Sequence, residues 1–155
     1  MKYIRERKQV GIIYHYTSLV SLLKILKTGT LKAGAEGTIS TTRNKNGKDM
    51  IFGLESNQCC LVLDGNTLSD TYKIKPYRDI INSYEDEQEE RIFTSEIKNI
   101  DKYIIKIILF NPDDWSFSTK ETKLISKILG LDYFDLDSVI EFLENNFSIE
   151  INYGY

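Results

Sequence analysis

Apolar and polar positions along the chain alternate in short blocks, and the blocks predict the elements. "VGIIYHYTS" reads as a strand that leaves at a polar turn. In "SLVSLLKILKTGTLKAG", the apolar residues Leu19, Leu22, Leu23, Ile25 and Leu26 fall on one face of a helix of roughly three turns. Ser18 or Thr17 is placed to cap its start, Gly29 to end it, and Leu31 to begin a return toward the core. "GTISTTR", Gly37 to Arg43, is β-branched and predicts a second strand. "NKNGKD" predicts a loop with a tight turn at Asn46-Gly47. "QCCLVLDG" predicts a third strand stopped at Asp64-Gly65, followed by a short helical turn near Leu68 and an extended "YKIKPY". Residues Arg78 to Glu90 read as a polar loop or frayed helix feeding a further strand, "EERIFT". "YIIKIILF", Tyr103 to Phe110, is the most apolar run and predicts a central buried strand.

Beyond "NPDDW" the period changes from two to that of a helix. "SFSTKETKLISKILG" offers Ser118 or Thr119 as caps, Ser118 and Glu121 at capping-box spacing, and a buried face of Leu124, Ile125, Ile128 and Leu129. "DLDSVIEFLENNF" predicts a second helix, and "SIEINYGY" a closing edge strand. Strand, helix, several strands and two helices, with long connections between strands, disfavour a regular βαβ sheet. An α+β domain with a split or bent mixed sheet fits this order.

Bulk properties narrow the class. The 155 residues fit a single domain, 1–155, with one core, and 41% hydrophobic and 28% charged residues are ordinary for a globular chain. A net charge of -3 argues against a broad electrostatic grip on nucleic acid. The charge is uneven, basic in "MKYIRERKQV" and acidic in "SYEDEQEER". The two cysteines, Cys59 and Cys60, are adjacent, and a bond between neighbours would be strained. With one histidine besides, they make no zinc set and read as small residues on a buried strand, so no metal is expected. No apolar run approaches a bilayer span. No membrane association, no signal segment and a cytoplasmic location are expected.

Three clusters join polar groups to strand ends, where sites usually sit. They are "YHYTS", "STTR" and "EDEQEER". Taken singly, each has a bland reading. A lone histidine between tyrosines is more often structural, and acidic runs are usually solvated loops.

Together the three have more to say. A "YHYTS" strand, then "LVSLLKILKTGTLKAG", then "ISTTR", then a glutamate-led strand resembles the ADP-ribosyltransferase fold, in particular small toxin-type members. The block "CCLVLDGNTLSDTYKIKPY…EERI…YI" is similar to phage-encoded proteins with the same entrance. The resemblance covers about Ile12 to Phe110. It leaves 111–155 as a helical C-terminal extension with two helices, flanking an ADP-ribosyltransferase-like split mixed sheet. It implies NAD as substrate, held in a cleft between two small sheets. His15 would hold the adenosine-side ribose or phosphates. Backbone groups at Tyr16, with Thr17 beside it, would take the nicotinamide amide. Ser40, Thr41 and Thr42 would shape the nicotinamide pocket, and Arg43 would pair with the pyrophosphate. A glutamate would grip the ribose hydroxyl and stabilise positive charge in the transition state. Glu90, nearest the strand, is the expected one and Glu87 the alternative. In an extended segment Glu87 and Glu89 share one face and Glu90 takes the other. The family's two common patterns pair histidine with tyrosine or arginine with serine, and this chain mixes them.

The implied activity is transfer of ADP-ribose to an acceptor, with protein favoured over nucleic acid by the acidic charge. For a phage-encoded protein the setting would be the host cytoplasm. A second reading is a non-catalytic binding module that sequesters a nucleotide signal or blocks a host protein as a counter-defence factor. A third is an RNA 2'-phosphotransferase or nuclease. For it Arg43, Arg78 and Arg91 are basic candidates, without a dense basic set.

Overall fold

The computed structural model describes residues 10–43, 45, 58–76 and 89–154. Arg78, Glu87 and the Asn46-Gly47 turn lie outside the described residues. Elements run in the order β1 (Ile12–Thr17), α1 (Leu19–Thr28), β2 (Thr30–Lys32), β3 (Ile39–Thr42), β4 (Cys59–Asp64), α2 (Gly65–Ser69), β5 (Ile74–Pro76), β6 (Glu89–Ile92), β7 (Glu96–Lys98), β8 (Ile104–Phe110), α3 (Thr119–Leu129), α4 (Leu136–Asn146) and β9 (Glu150–Gly154). Single 3-10 turns, Ile100–Tyr103 and Pro112–Asp114, flank β8. The fold is α+β, with four α-helices and a mostly antiparallel sheet among the described residues.

The helices start and stop where their side chains dictate. Of the two candidates at α1, Ser18 is the cap, accepting a hydrogen bond from the Ser21 amide, and Gly29 ends the helix in the left-handed region at φ 72°. Ser118 caps α3 in a complete capping box with Glu121. A second box, Asp135 with Ser138, opens α4.

Seven strands form one sheet in the order β5-β6-β3-β1-β4-β8-β9, and β2 pairs with β7 in a separate two-stranded sheet. Every neighbouring pair is antiparallel except β8 with β9, which makes the large sheet mixed. The tail therefore contributes more than two helices, because its last strand lies along β8 from Lys106 to Phe110. A register change between Val62 and Leu63 leaves Ile105 as the extra residue of a bulge on β8, and Ile105 is exposed.

One face of the sheet carries the main core. Ile13, Cys59, Leu61, Leu63, Ile107 and Leu109 meet Leu19, Leu22, Leu23 and Leu26 of α1 there, and Ile125, Val139 and Leu143 bring α3 and α4 onto the same cluster. On the opposite face Tyr16, Cys60, Val62 and Phe110 form a smaller cluster. The alternation of β1 and β4 assigns each side chain to its face, as a period of two requires.

The sheet is nearly interrupted at one place. β1 pairs with β4 over its whole length, six residues from Ile12 with Asp64 to Thr17 with Cys59. With β3 it makes a single registered pair, Tyr14 with Thr42.

Candidate functional site

A cavity of about 690 Å³ opens where β1 and β3 part. Successive residues of both strands line it: Tyr14 to Thr17 on β1 and Ile39 to Thr42 on β3. Successive residues of a strand point to opposite faces. Lining by all of them is what a cavity in the gap between two strands, rather than on one face, produces. The polar edge of α1 (Ser21, Lys24 and Thr28) and the segment Leu31 to Glu36 close the other side.

His15 spans the gap. Its Nδ1 lies 2.9 Å from the Ser40 carbonyl oxygen. A carbonyl only accepts, so Nδ1 carries the proton in this contact, and in the neutral ring Nε2 is the acceptor. The imidazole thus supplies across the gap a hydrogen bond of the kind the backbone ladder makes at its closed end. The Tyr16 ring is held away on the second cluster, stacked on Phe110 with centroids 5.9 Å apart, and its hydroxyl donates to the Lys45 carbonyl. Thr17 is buried beside Cys59 and lines the cavity.

Two carboxylates line the cavity among the described residues, Glu36 and Glu89, and Glu89 is the one on the strand β6. Alternation along β6 puts Glu89 and Arg91 on one face and Glu90 and Ile92 on the other, and the first pair lines the cavity. The expectation for Glu90 is corrected here. Glu90 is fully buried, outside the cavity lining, and its carbonyl accepts from the Thr41 hydroxyl at 2.8 Å. Register is the physical reason: a shift of one residue moves a side chain to the other face.

Glu89 is held through one oxygen. The Ser40 hydroxyl donates to Oε2 at 2.8 Å and Arg91 Nε donates to the same atom at 2.9 Å. Among the described residues Oε1 takes no hydrogen bond. Arg91 also bonds Thr38 Oγ1 at 3.2 Å and pairs with Glu36. Burial works against the Arg91 charge, but the hydrogen bonds and charges of Glu36 and Glu89 more than offset it, and the guanidinium pKa is held above its ordinary value. Lys24 and Lys32 add two further positive charges to the lining.

Arg43 needs a second correction. It does not line the cavity. Its Nη1 donates to the Val10 carbonyl, and its guanidinium lies against Gly11, beyond the Tyr14–Thr42 pair. Among the described residues the cations at the cavity are Lys24, Lys32 and Arg91 instead. The spacing of Ser21, Lys24 and Thr28 (i, i+3, i+7) was a legible signal for that edge, since it runs beside the apolar stripe of α1.

The two cysteines, on β4 beside β1, are fully buried. Burial pushes both thiols far up, the neighbouring Cys60 adding to the effect at Cys59, while hydrogen bonds from Tyr16 and the His15 main chain partly offset it at Cys60. Among the described residues no group of histidine, cysteine and acidic side chains is arranged to hold a metal ion, and no helix is long and apolar enough to cross a membrane.

Compared with known proteins, the chain matches no family model and no curated protein.

Proposed function

We propose that the gap between β1 and β3 binds NAD and that the protein transfers its ADP-ribose to a protein acceptor in the manner of an ADP-ribosyltransferase. The observation that carries this reading is Glu89. Its carboxylate is held at Oε2 by Ser40 and Arg91, and the residue lines a cavity wide enough for a nucleotide. A fixed carboxylate of this kind accepts a hydrogen bond from a ribose hydroxyl. It also stabilises the positive charge that develops on the ribose as the bond to nicotinamide breaks. The electron pair of that bond leaves with nicotinamide. The acceptor's nucleophile forms the new bond to the same ribose carbon and gives up its proton. No redox partner is needed.

The remaining groups take roles by their chemistry. Lys24 and Lys32 suit the pyrophosphate as mobile point charges. His15, fixed at Ser40, suits the adenosine-side ribose or phosphates, and the main chain at Tyr16 and Thr17 suits the nicotinamide amide. Ser40, Thr41 and Thr42 form the adjoining wall. The resemblance of the sequence to phage-encoded proteins supports a host-cytoplasm setting.

The test uses labelled NAD with the purified protein and a bacterial lysate. Transfer of label to protein is expected, with a loss of at least about 100-fold in Glu89→Gln, in the range of removing one preorganised transition-state group. Absence of both NAD binding and label transfer with the wild type would overturn the reading.

One observation favours a second reading, a nucleotide-binding module without turnover. Arg91 is a standing counter-charge to Glu89, which weakens its pull on a developing cation. This reading expects calorimetric binding of NAD, ADP-ribose or a cyclic nucleotide with no release of nicotinamide.

A further inference from the structure

A second cavity, of about 460 Å³, lies by Leu19 at the start of α1, between the turn after β8, α3 and the start of α4. It shares no lining residue with the first. Aromatic rings form its walls. Trp115 and Phe117 meet edge-on at 6.3 Å between centroids, and Phe117 and Phe134 meet at 6.1 Å. The Trp115 indole is fixed in place by a 2.8 Å hydrogen bond from Nε1 to the Phe110 carbonyl. Tyr133, 77% exposed, stands at the mouth.

The charge on this cavity has one sign. Asp113, Asp132 and Asp135 line it, and among the described residues no lysine, arginine or histidine does. Asp135 is committed to capping α4, and the Ser138 amide and hydroxyl hold its carboxyl below the usual carboxylate range. Asp113 and Asp132 make no hydrogen bond among the described residues. Aromatic faces attract cations through their quadrupoles, and a planar guanidinium both stacks on rings and pairs with carboxylates in bidentate fashion. The apolar side chains exposed beside the mouth, Leu131 and Tyr133, extend the surface beyond what a small free cation covers. They suit residues on either side of an inserted side chain.

We propose that this aromatic, acid-lined cavity is a docking site for a basic segment of a partner protein, which inserts an arginine side chain between Trp115, Phe117 and Tyr133 against Asp113 and Asp132. The inference stands independently of the function proposed for the first cavity.

Trp115 is the chain's single tryptophan, so its fluorescence reports on this site alone. The experiment titrates the full chain with a blocked nine-residue peptide bearing one central arginine flanked by leucines. The controls are the same peptide with citrulline, a neutral isostere, and arginine amide by itself. The arginine peptide is expected to shift Trp115 emission saturably, at least tenfold more tightly than either control. Asp113→Asn combined with Asp132→Asn is expected to weaken it at least tenfold while thermal stability and the circular dichroism spectrum are unchanged. Tyr133→Ala, at an exposed position that cannot threaten the fold, is expected to weaken it as well. Equal binding of the citrulline peptide, no saturable change, or indifference to the two Asp variants would overturn the proposal. Equal affinity for arginine amide would overturn its assignment to a peptide segment.

Discussion

Glu89 and Glu90 are neighbours in sequence with opposite fates. Glu89 lies at the cavity with its carboxylate shared by Ser40 and Arg91, whereas Glu90 is fully buried behind the strand. Their amide variants are expected to separate accordingly. Under the proposed function, Glu89→Gln lowers transfer at least about 100-fold, weakens NAD binding and leaves the unfolding midpoint near wild type. Glu90→Gln retains NAD binding but lowers stability by about 1–3 kcal/mol, the usual cost of disturbing a buried hydrogen-bonding group. Parallel calorimetric binding and urea unfolding of the two variants decide it, and equal loss of binding in both would defeat the assignment. The thiols give a pH prediction. Both are pushed up by burial, so the native state keeps protons that the unfolded chain releases. Their contribution to stability is whole below about pH 8.5, the ordinary thiol pKa. It declines above that pH, by up to ~1.4 kcal/mol per pH unit for each thiol. Urea midpoints between pH 7.5 and 10.5 are expected to fall more steeply for the wild type than for a variant with Cys59→Ala and Cys60→Ala. Parallel curves would show that the thiols titrate alike in both states.

At the scale of elements, most segments were legible, the long periodic ones most clearly, and one strand pair was not. The helices at 19–28, 119–129 and 136–146, and the strands β1, β3, β4 and β8, follow from apolar spacing and caps in the sequence. The β2–β7 pair did not, since three-residue strands such as Thr30–Lys32 and Glu96–Lys98 hold too few positions to show a period. Sheet order was equally hidden, because β6 pairs with β3 across about fifty residues of chain and only tertiary contact sets that choice. The same gap concealed the site's acid: without the register of β6 on β3, alternation alone does not say which of Glu89 and Glu90 faces Ser40. One junction has an element-scale test. Gly65 opens α2, and its amide donates to the Gly11 carbonyl at 2.9 Å. A Cβ on Gly65 would lie 2.4 Å from that carbonyl oxygen and 2.6 Å from Val10 Cγ1. The obstacle includes backbone, so Gly65→Ala is expected to cost about 1–3 kcal/mol as overpacking strain. An unchanged denaturation midpoint would show that the Gly11 segment yields freely.

Across the whole molecule, the fold brings together groups that the sequence separates by up to 77 residues, from Tyr14 to Arg91, around one gap. Their residue types were readable beforehand; their meeting depends on β1 standing between β3 and β4 in the sheet. That placement also sets how the molecule moves. The strands β5, β6 and β3 join the rest of the large sheet through one registered rung, Tyr14–Thr42, flanked by side-chain bonds from His15 and Arg43, while β1, β4 and β8 share continuous ladders. Local opening costs least where few backbone bonds must break. Amide hydrogen exchange is therefore expected to be faster in β3 and β6 than in β4 and β8, and saturating NAD to slow it selectively in β3 and β6. Uniform protection of the whole sheet would speak against this. Under the proposed function the one-rung seam would act as a compliant joint: the energy a ligand gains by bridging it would be recorded as lost opening fluctuations on one side of the sheet alone.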